Sequence, residues 1–244
     1  MGIRVTELTW NQQPGAATDI GVGLNGTAWV IGPDPVPGGF GIYYWNGSDW
    51  GSVGGSGVRI AVGSDGTPWV VNDMGNIFIF SGGNWQQLPG AATDIGVGAN
   101  GSVWAIGTNP VPGGYGIFHW NGSDWDGVEG SGVRISVGFD GTPWVVNDMG
   151  NIFVLSGGNW QQLPGAATDI GVGSSAWVIG TDPIPDGYNI FYWKGDREWA
   201  SVAGAAVSIA ATSGPWIVNS AGNIFSSQIA AVDDPVATVP AIVG

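Results

Sequence analysis

The side chains with most to offer chemically are fifteen tryptophans in a chain of 244 residues, and their spacing is regular. Six of them, Trp10, Trp50, Trp85, Trp125, Trp160 and Trp199, mostly follow directly on a strongly polar residue: Asp49, Asn84, Asp124, Asn159 or Glu198. An indole face beside a carboxylate or amide suits a sugar ring, whose CH groups stack while its hydroxyls bond to the polar neighbour. The same six indoles could instead cap the seam between repeated units, and both readings stand at this point.

Catalytic groups are scarce. The single histidine, His119, holds the place of Tyr44 and Tyr192 in the sister repeats, which marks a wall more than a base. There is no cysteine, and Lys194 is the only lysine, so nucleophile–base pairs have little to be built from. One acidic constellation remains. Asp19, Asp94 and Asp169 recur at the same point of three repeats, where they could ring a channel mouth and hold a hard cation. The matching positions of the intervening repeats are Arg59, Arg134 and Ser208. Alternating acid and base read more simply as ion pairs between units, fixing register more than adding stability. No cofactor is implied, and no metal site is assigned.

These residues sit in a repeat that fills the chain. SGGNWQQLPGAATDIGVGAN at 81–100 returns at 156–173 and, more loosely, at 9–23. A related unit, GSGVRIAVGSDGTPWVVNDMGNIF at 55–78, returns at 130–153 and, degraded, at 204–225. Trp10 and Trp85 are 75 residues apart, as are Trp50 and Trp125. Short apolar runs broken by Asn-Gly, Asp-Gly and Gly-Gly predict strands and hairpins, with no helical period. The turn at 81–84 can only close a hairpin, whereas Pro89-Gly90-Ala91-Ala92 is free to leave the sheet.

The expected fold is therefore all-β: a six-bladed β-propeller with four antiparallel strands per blade. Blades start near 18, 58, 93, 133, 168 and 207, each with its first strand innermost. Residues 1–227 form the propeller, and residues 5–13 complete the last blade, so that the N-terminal strand closes the ring and removes its free edges. The second-strand tryptophans (Trp29, Trp69, Trp104, Trp144, Trp177, Trp216) are expected in the core between blades, and Trp45, Trp120 and Trp193 end third strands. The fifth blade has lost residues in its Gly173-Ser174-Ser175 turn. Residues 228–244 form a C-terminal tail, read either as a loose extension or as a segment whose apolar side chains pack on a sister subunit in a homo-oligomer.

Five Lys/Arg against 19 Asp/Glu leave a net charge of −14, which repels phosphate backbones and excludes nucleic acid as a partner. No run is long and apolar enough for membrane insertion. Four Asn-x-Ser/Thr triplets begin at Asn25, Asn46, Asn100 and Asn121, each an Asn-Gly hairpin tip, and Asp65-Gly66 and Asp140-Gly141 fill the same turns. The first residues lack a signal-peptide core. They match a myristoylation pattern, which the use of this segment as a strand discounts. The expected location is cytoplasmic, or outside after release without a signal peptide.

The unit T-D-I-G-V-G-x-N-G-[ST]-[AV]-W-x-I-G and its sister VGxDGTPWVVNxxGNIF, followed by W-x-x-L-P-G, resemble the tectonin repeat over nearly all of residues 9–227. The resemblance implies a six-bladed propeller lectin with shallow sites between blades. It further implies glycan partners, in some members O-methylated sugars on bacterial lipopolysaccharide or invertebrate surfaces, and hence a multivalent role in innate defence. Two faces could carry the sites. One bears the Asn-Gly hairpins and the Asp/Asn-Trp pairs, and this face is favoured. The other bears the crossing connections with Arg59, Arg134, Asn72 and Asn147. A protein-interaction scaffold is the alternative function, and a cation-dependent hydrolase at the channel mouth the second alternative.

Overall fold

A computed structural model describes residues 8–229; the Met-Gly motif and nearly all of the C-terminal tail lie outside the described residues. Every regular element among the described residues is a β-strand, and every pairing is antiparallel. The chain begins with β1 (Leu8–Ala16). A four-stranded sheet follows, made of β2 (Asp19–Val22), β3 (Ala28–Val36), β4 (Gly39–Trp45) and β5 (Trp50–Gly57).

The middle of the chain is one seven-stranded sheet. It comprises β6 (Arg59–Val62), β7 (Pro68–Val71), β8 (Asn76–Ser81), β9 (Asn84–Val97), β10 (Val103–Val111), β11 (Gly114–Trp120) and β12 (Trp125–Gly132). Two more four-stranded sheets follow. The first is β13 (Arg134–Val137), β14 (Pro143–Val146), β15 (Asn151–Ser156) and β16 (Asn159–Ala166). The second is β17 (Asp169–Val172), β18 (Ala176–Ile184), β19 (Gly187–Gly195) and β20 (Glu198–Ala206). Finally β21 (Ser208–Ala211), β22 (Pro215–Val218) and β23 (Asn223–Ile229) pair in order, and β1 adds to the outer edge of β23, with Trp10 opposite Ser227.

The architecture is an all-β propeller of four-stranded antiparallel blades. Its central sheet counts seven strands because β9 serves two ladders. Ala91 pairs with Asn76 of β8, whereas Ala92 pairs with Gly107 of β10. The sequence reading cut this stretch at Pro89-Gly90 as a connection leaving the sheet. The structure instead keeps Pro89-Gly90 inside β9 as a bulge, Ile77 pairing with Leu88 but Asn76 with Ala91. Proline and glycine read as loop formers in sequence, but a bulge uses the same two residues.

The short strands β2, β6, β13, β17 and β21 lie side by side with β9 in a closed cycle. Strands β2 and β17, both Asp-Ile-Gly-Val, are buried along their whole length. Glycine on one face makes that crowding possible: a Cβ on Gly21 would lie 2.9 Å from the Val62 side chain of the next innermost strand. The apolar core is divided into six clusters, each filling a seam between neighbouring strand groups. Second-strand tryptophans Trp29, Trp69, Trp104 and Trp177 are buried there, while Trp144 and Trp216 are half-buried.

Candidate functional site

At the axis, three aspartates surround one guanidinium. Arg59 donates from Nε to Asp94 at 2.8 Å, from Nη1 to Asp19 at 3.1 Å and from Nη2 to Asp169 at 3.5 Å. The second carboxylate oxygen of each aspartate accepts a main-chain N–H from the next innermost strand: Ile60 to Asp19, Ile135 to Asp94 and Ile209 to Asp169. Ser208 donates its hydroxyl to Asp19 at 2.7 Å. Burial pushes the Asp19 carboxyl up against the pull of Arg59, and it drives Asp169 up to about 6 against both arginines. Burial opposes the charge on Arg59, yet the three carboxylates outweigh it and hold the guanidinium charged well above its ordinary range.

The sequence suggested alternating pairs around the ring. The structure shows ion pairs between units, unevenly shared: Arg59 meets all three acids, and Arg134 also reaches Asp169. Arg134 is left more exposed, 3.6 Å from Asp169, with Nη1 on the Val133 carbonyl. The carboxylate oxygens thus meet a cation that the protein itself supplies, and the cavity between the innermost strands is only about 60 Å³. Among the described residues no cluster of histidine, cysteine and acidic groups is arranged to hold a metal.

Away from the axis, the six outer tryptophans form a second repeated feature. Each indole N–H donates to a carbonyl on the outer strand of the preceding strand group. Trp50 reaches Pro14, Trp85 reaches Gly54 and Trp125 reaches Pro89. Trp160 reaches Glu129, Trp199 reaches Pro164, and Trp10 closes the cycle on Ala203, over distances of 2.6 to 3.1 Å. Every acceptor lies in an outer-strand bulge, immediately before a glycine of positive φ. A bulge takes residues out of the ladder, so their carbonyls need another donor. The next indole provides it and lays its edge on the glycine, where a Cβ on Gly90 would come within 2.8 Å of Trp125 Cδ1. The polar residues beside these tryptophans serve their own turns. Asp49 and Asp124 accept the N–H of Trp50 and Trp125, while the amides of Asn84 and Asn159 donate to Gly82 and Gly157. Asn72 and Asn147 are buried turn caps, accepting the N–H groups two and four residues on.

The structure brings three of the outer tryptophans, Trp10, Trp125 and Trp199, but not their polar neighbours, to a repeated cavity. One niche of about 240 Å³ lies between Gly90-Ala91, Ala105, Thr108-Asn109, Phe118 and Trp125. Its counterpart 73 to 75 residues on, about 190 Å³, lies between Gly165-Ala166, Val178, Thr181-Asp182, Phe191 and Trp199. A third, of about 140 Å³, holds Trp10, Gly204-Ala205, Ile217, Asn219 and Phe225. Each has an indole and a third-strand phenylalanine as walls, small residues in the preceding outer strand, and polar groups at the end of a second strand. Within each blade, the second-to-third turn and the crossing to the next blade share one end of the sheet. The niches therefore lie on the crossing side. Arg59, Arg134, Asn72 and Asn147 are not in them. Sequence reading missed Phe118, Phe191, Phe225 and the bulge glycines, although their recurrence beside the tryptophans was visible.

A ring of four-stranded antiparallel blades with such seams is the build of a β-propeller binding domain. The tectonin domain model matches residues 36–111 and 111–238, and the chain belongs to that family. No curated protein matches the sequence. Solved structures share the fold at low identity. A chain of YCF48 bound to D1 peptide superposes with a TM-score of 0.60 at 16% identity, covering 94% of this chain and 99% of its own. A chain of the mitotic checkpoint complex gives 0.61 at 9% identity, covering 91% and 94%. PorZ, a surface component of the type-IX secretion system of Porphyromonas gingivalis, gives 0.51 at 13% identity, covering 92% of this chain and 39% of that one.

Proposed function

We propose that this protein is a non-enzymatic, multivalent carbohydrate-binding propeller of six blades, with residues 1–227 as one domain. The blade count is supported by six innermost strands in one cycle, six core clusters and six indole–carbonyl bonds, with β9 counted in two blades. The site is the niche at the blade seam, and the observation that carries the reading is its recurrence at three seams with the same wall types. Each niche is too small for a whole oligosaccharide. It suits one apolar substituent of a sugar, such as the CH₃ of a methyl ether, while Thr108 and Asn109, or Thr181 and Asp182, meet ring hydroxyls at the mouth.

Burying a methyl group contributes about 0.8 kcal/mol, which is roughly a fourfold preference over the unmethylated sugar. Single sites of this kind are weak, so useful affinity comes from several seams engaging one glycan-coated surface, bacterial or invertebrate. The test is a glycan array with methylated and unmethylated panels, read for wild type and for Ala91→Leu, which fills one niche from an exposed position. Methyl-dependent signals weakened by the substitution support the reading; silence on both panels sinks it.

A further inference from the structure

A cavity larger than any of these niches lies apart from them. It is an open notch of about 800 Å³ between the β13–β16 and β17–β20 sheets, at the hairpin end of the seam. Its walls are Trp144, Leu155 and Trp193, with Ser156, Gln161 and Lys194 among the polar groups that face it. The two indoles meet edge-on, 6.4 Å apart.

One of the turns that line the notch is shortened in sequence. In the first and third repeats the turn between the two innermost strands runs Gly23-Leu24-Asn25-Gly26-Thr27 and Gly98-Ala99-Asn100-Gly101-Ser102. In the fifth it is only Gly173-Ser174-Ser175, two residues shorter, and these three residues line the notch. Trp144 is half-buried at this seam. The opposite rim is tied down as well: Arg197 reaches across the seam to the Gln162 carbonyl, and Lys194 pairs with Glu198 at 2.8 Å.

We propose that this notch is a second binding site, present once per chain, for a linear neutral oligosaccharide. Its size fits roughly two or three sugar rings, within the range of about 300–1,000 Å³ usual for ligand pockets. Indole surface lies beside side-chain amide, hydroxyl and ammonium groups, the combination that stacks pyranose CH faces while bonding their hydroxyls. The hairpin beside it carries Lys194, Asp196, Arg197 and Glu198, two charges of each sign, which favours an uncharged ligand over an anionic one. The inference rests on reading the chain as a glycan binder. It differs from the niches in location, ligand length and number.

The test is calorimetric titration of the full chain with chitotriose, cellotriose and mannotriose, and separately with methylated monosaccharides. Wild type is compared with two variants. One replaces Ser174-Ser175 by the Ala-Asn-Gly-Ser turn of the third repeat, and the other is Gln161→Leu, an exposed position that leaves the fold intact. The expected result is one trisaccharide per wild-type chain, weakened at least tenfold by each variant, with methylated monosaccharide binding unchanged. No trisaccharide binding by wild type, or equal affinity in both variants, overturns the notch whether or not the niches bind. Trisaccharide binding lost in the variants, with no methylated sugar bound, leaves the notch standing and removes the niches instead.

Discussion

Arg59 is the residue whose loss the fold would tolerate least. Three carboxylates, each no more than 4% exposed, converge on it. Arg59→Met leaves Asp19 and Asp94 without a counter-charge and Asp169 with only the more distant Arg134, and stability measured by urea denaturation should fall by about 3–5 kcal/mol. Arg59→Lys should rescue little, because one ammonium cannot reproduce three directed N–H donors. Asp169 supplies a prediction about pH. Its folded pKa of about 6 lies above the ordinary aspartate value of 3.8, so between these values the folded protein binds more protons than the unfolded chain. Stability from this group therefore falls as pH rises through the window from about 4 to 6, and Asp169→Asn should flatten that slope in melting experiments. Asp65 is held down by the N–H of Thr67, so its contribution is lost below that window and does not mask the effect. The acid–base alternation at the axis was legible in the sequence. That one of two repeat-equivalent arginines would serve all three acids was not, because the choice arises only where the repeats meet in a confined space.

Among the elements, the bulged outer strand and the next indole form one unit repeated at every seam. The sequence displayed its parts, an Xaa-Gly pair and a tryptophan 31 to 36 positions away or, for Trp10, across the ring closure. It did not display their relation, since the partner lies in the next repeat and Pro-Gly also ends strands. The two halves of the unit should differ in cost. Trp125→Phe keeps the apolar wall but leaves the Pro89 carbonyl without its donor, and should lower stability by about 1 kcal/mol. Gly90→Ala should cost more: φ of 87° adds about 1–2 kcal/mol for any side chain, and the new Cβ also displaces Trp125. Paired thermal melts of the two variants check the order, and a cheaper Gly90→Ala would contradict the seam geometry.

For the whole molecule, the four-stranded antiparallel blades and the order of their strands were legible because turn chemistry punctuates the repeats so regularly. The site was less so, since a niche made by neighbouring blades has no contiguous motif. The ring also depends on β1, the outer strand of the last sheet. Removing residues 1–16 should expose the edge of β23 and the unpaired Ala203 carbonyl, and light scattering should report aggregation that the intact chain does not show. The central claim is that the seams bind sugars through a methyl-sized niche. The most direct test is to soak crystals of the wild-type protein and of Ala91→Leu with 2-O- and 3-O-methylated hexoses and to count the molecules bound per chain. The account predicts several sugars at equivalent seams, each with its methyl group against an outer tryptophan and third-strand aromatic, and none at the seam filled by Ala91→Leu. Sugars bound only elsewhere, or with the methyl group pointing to solvent, would contradict it.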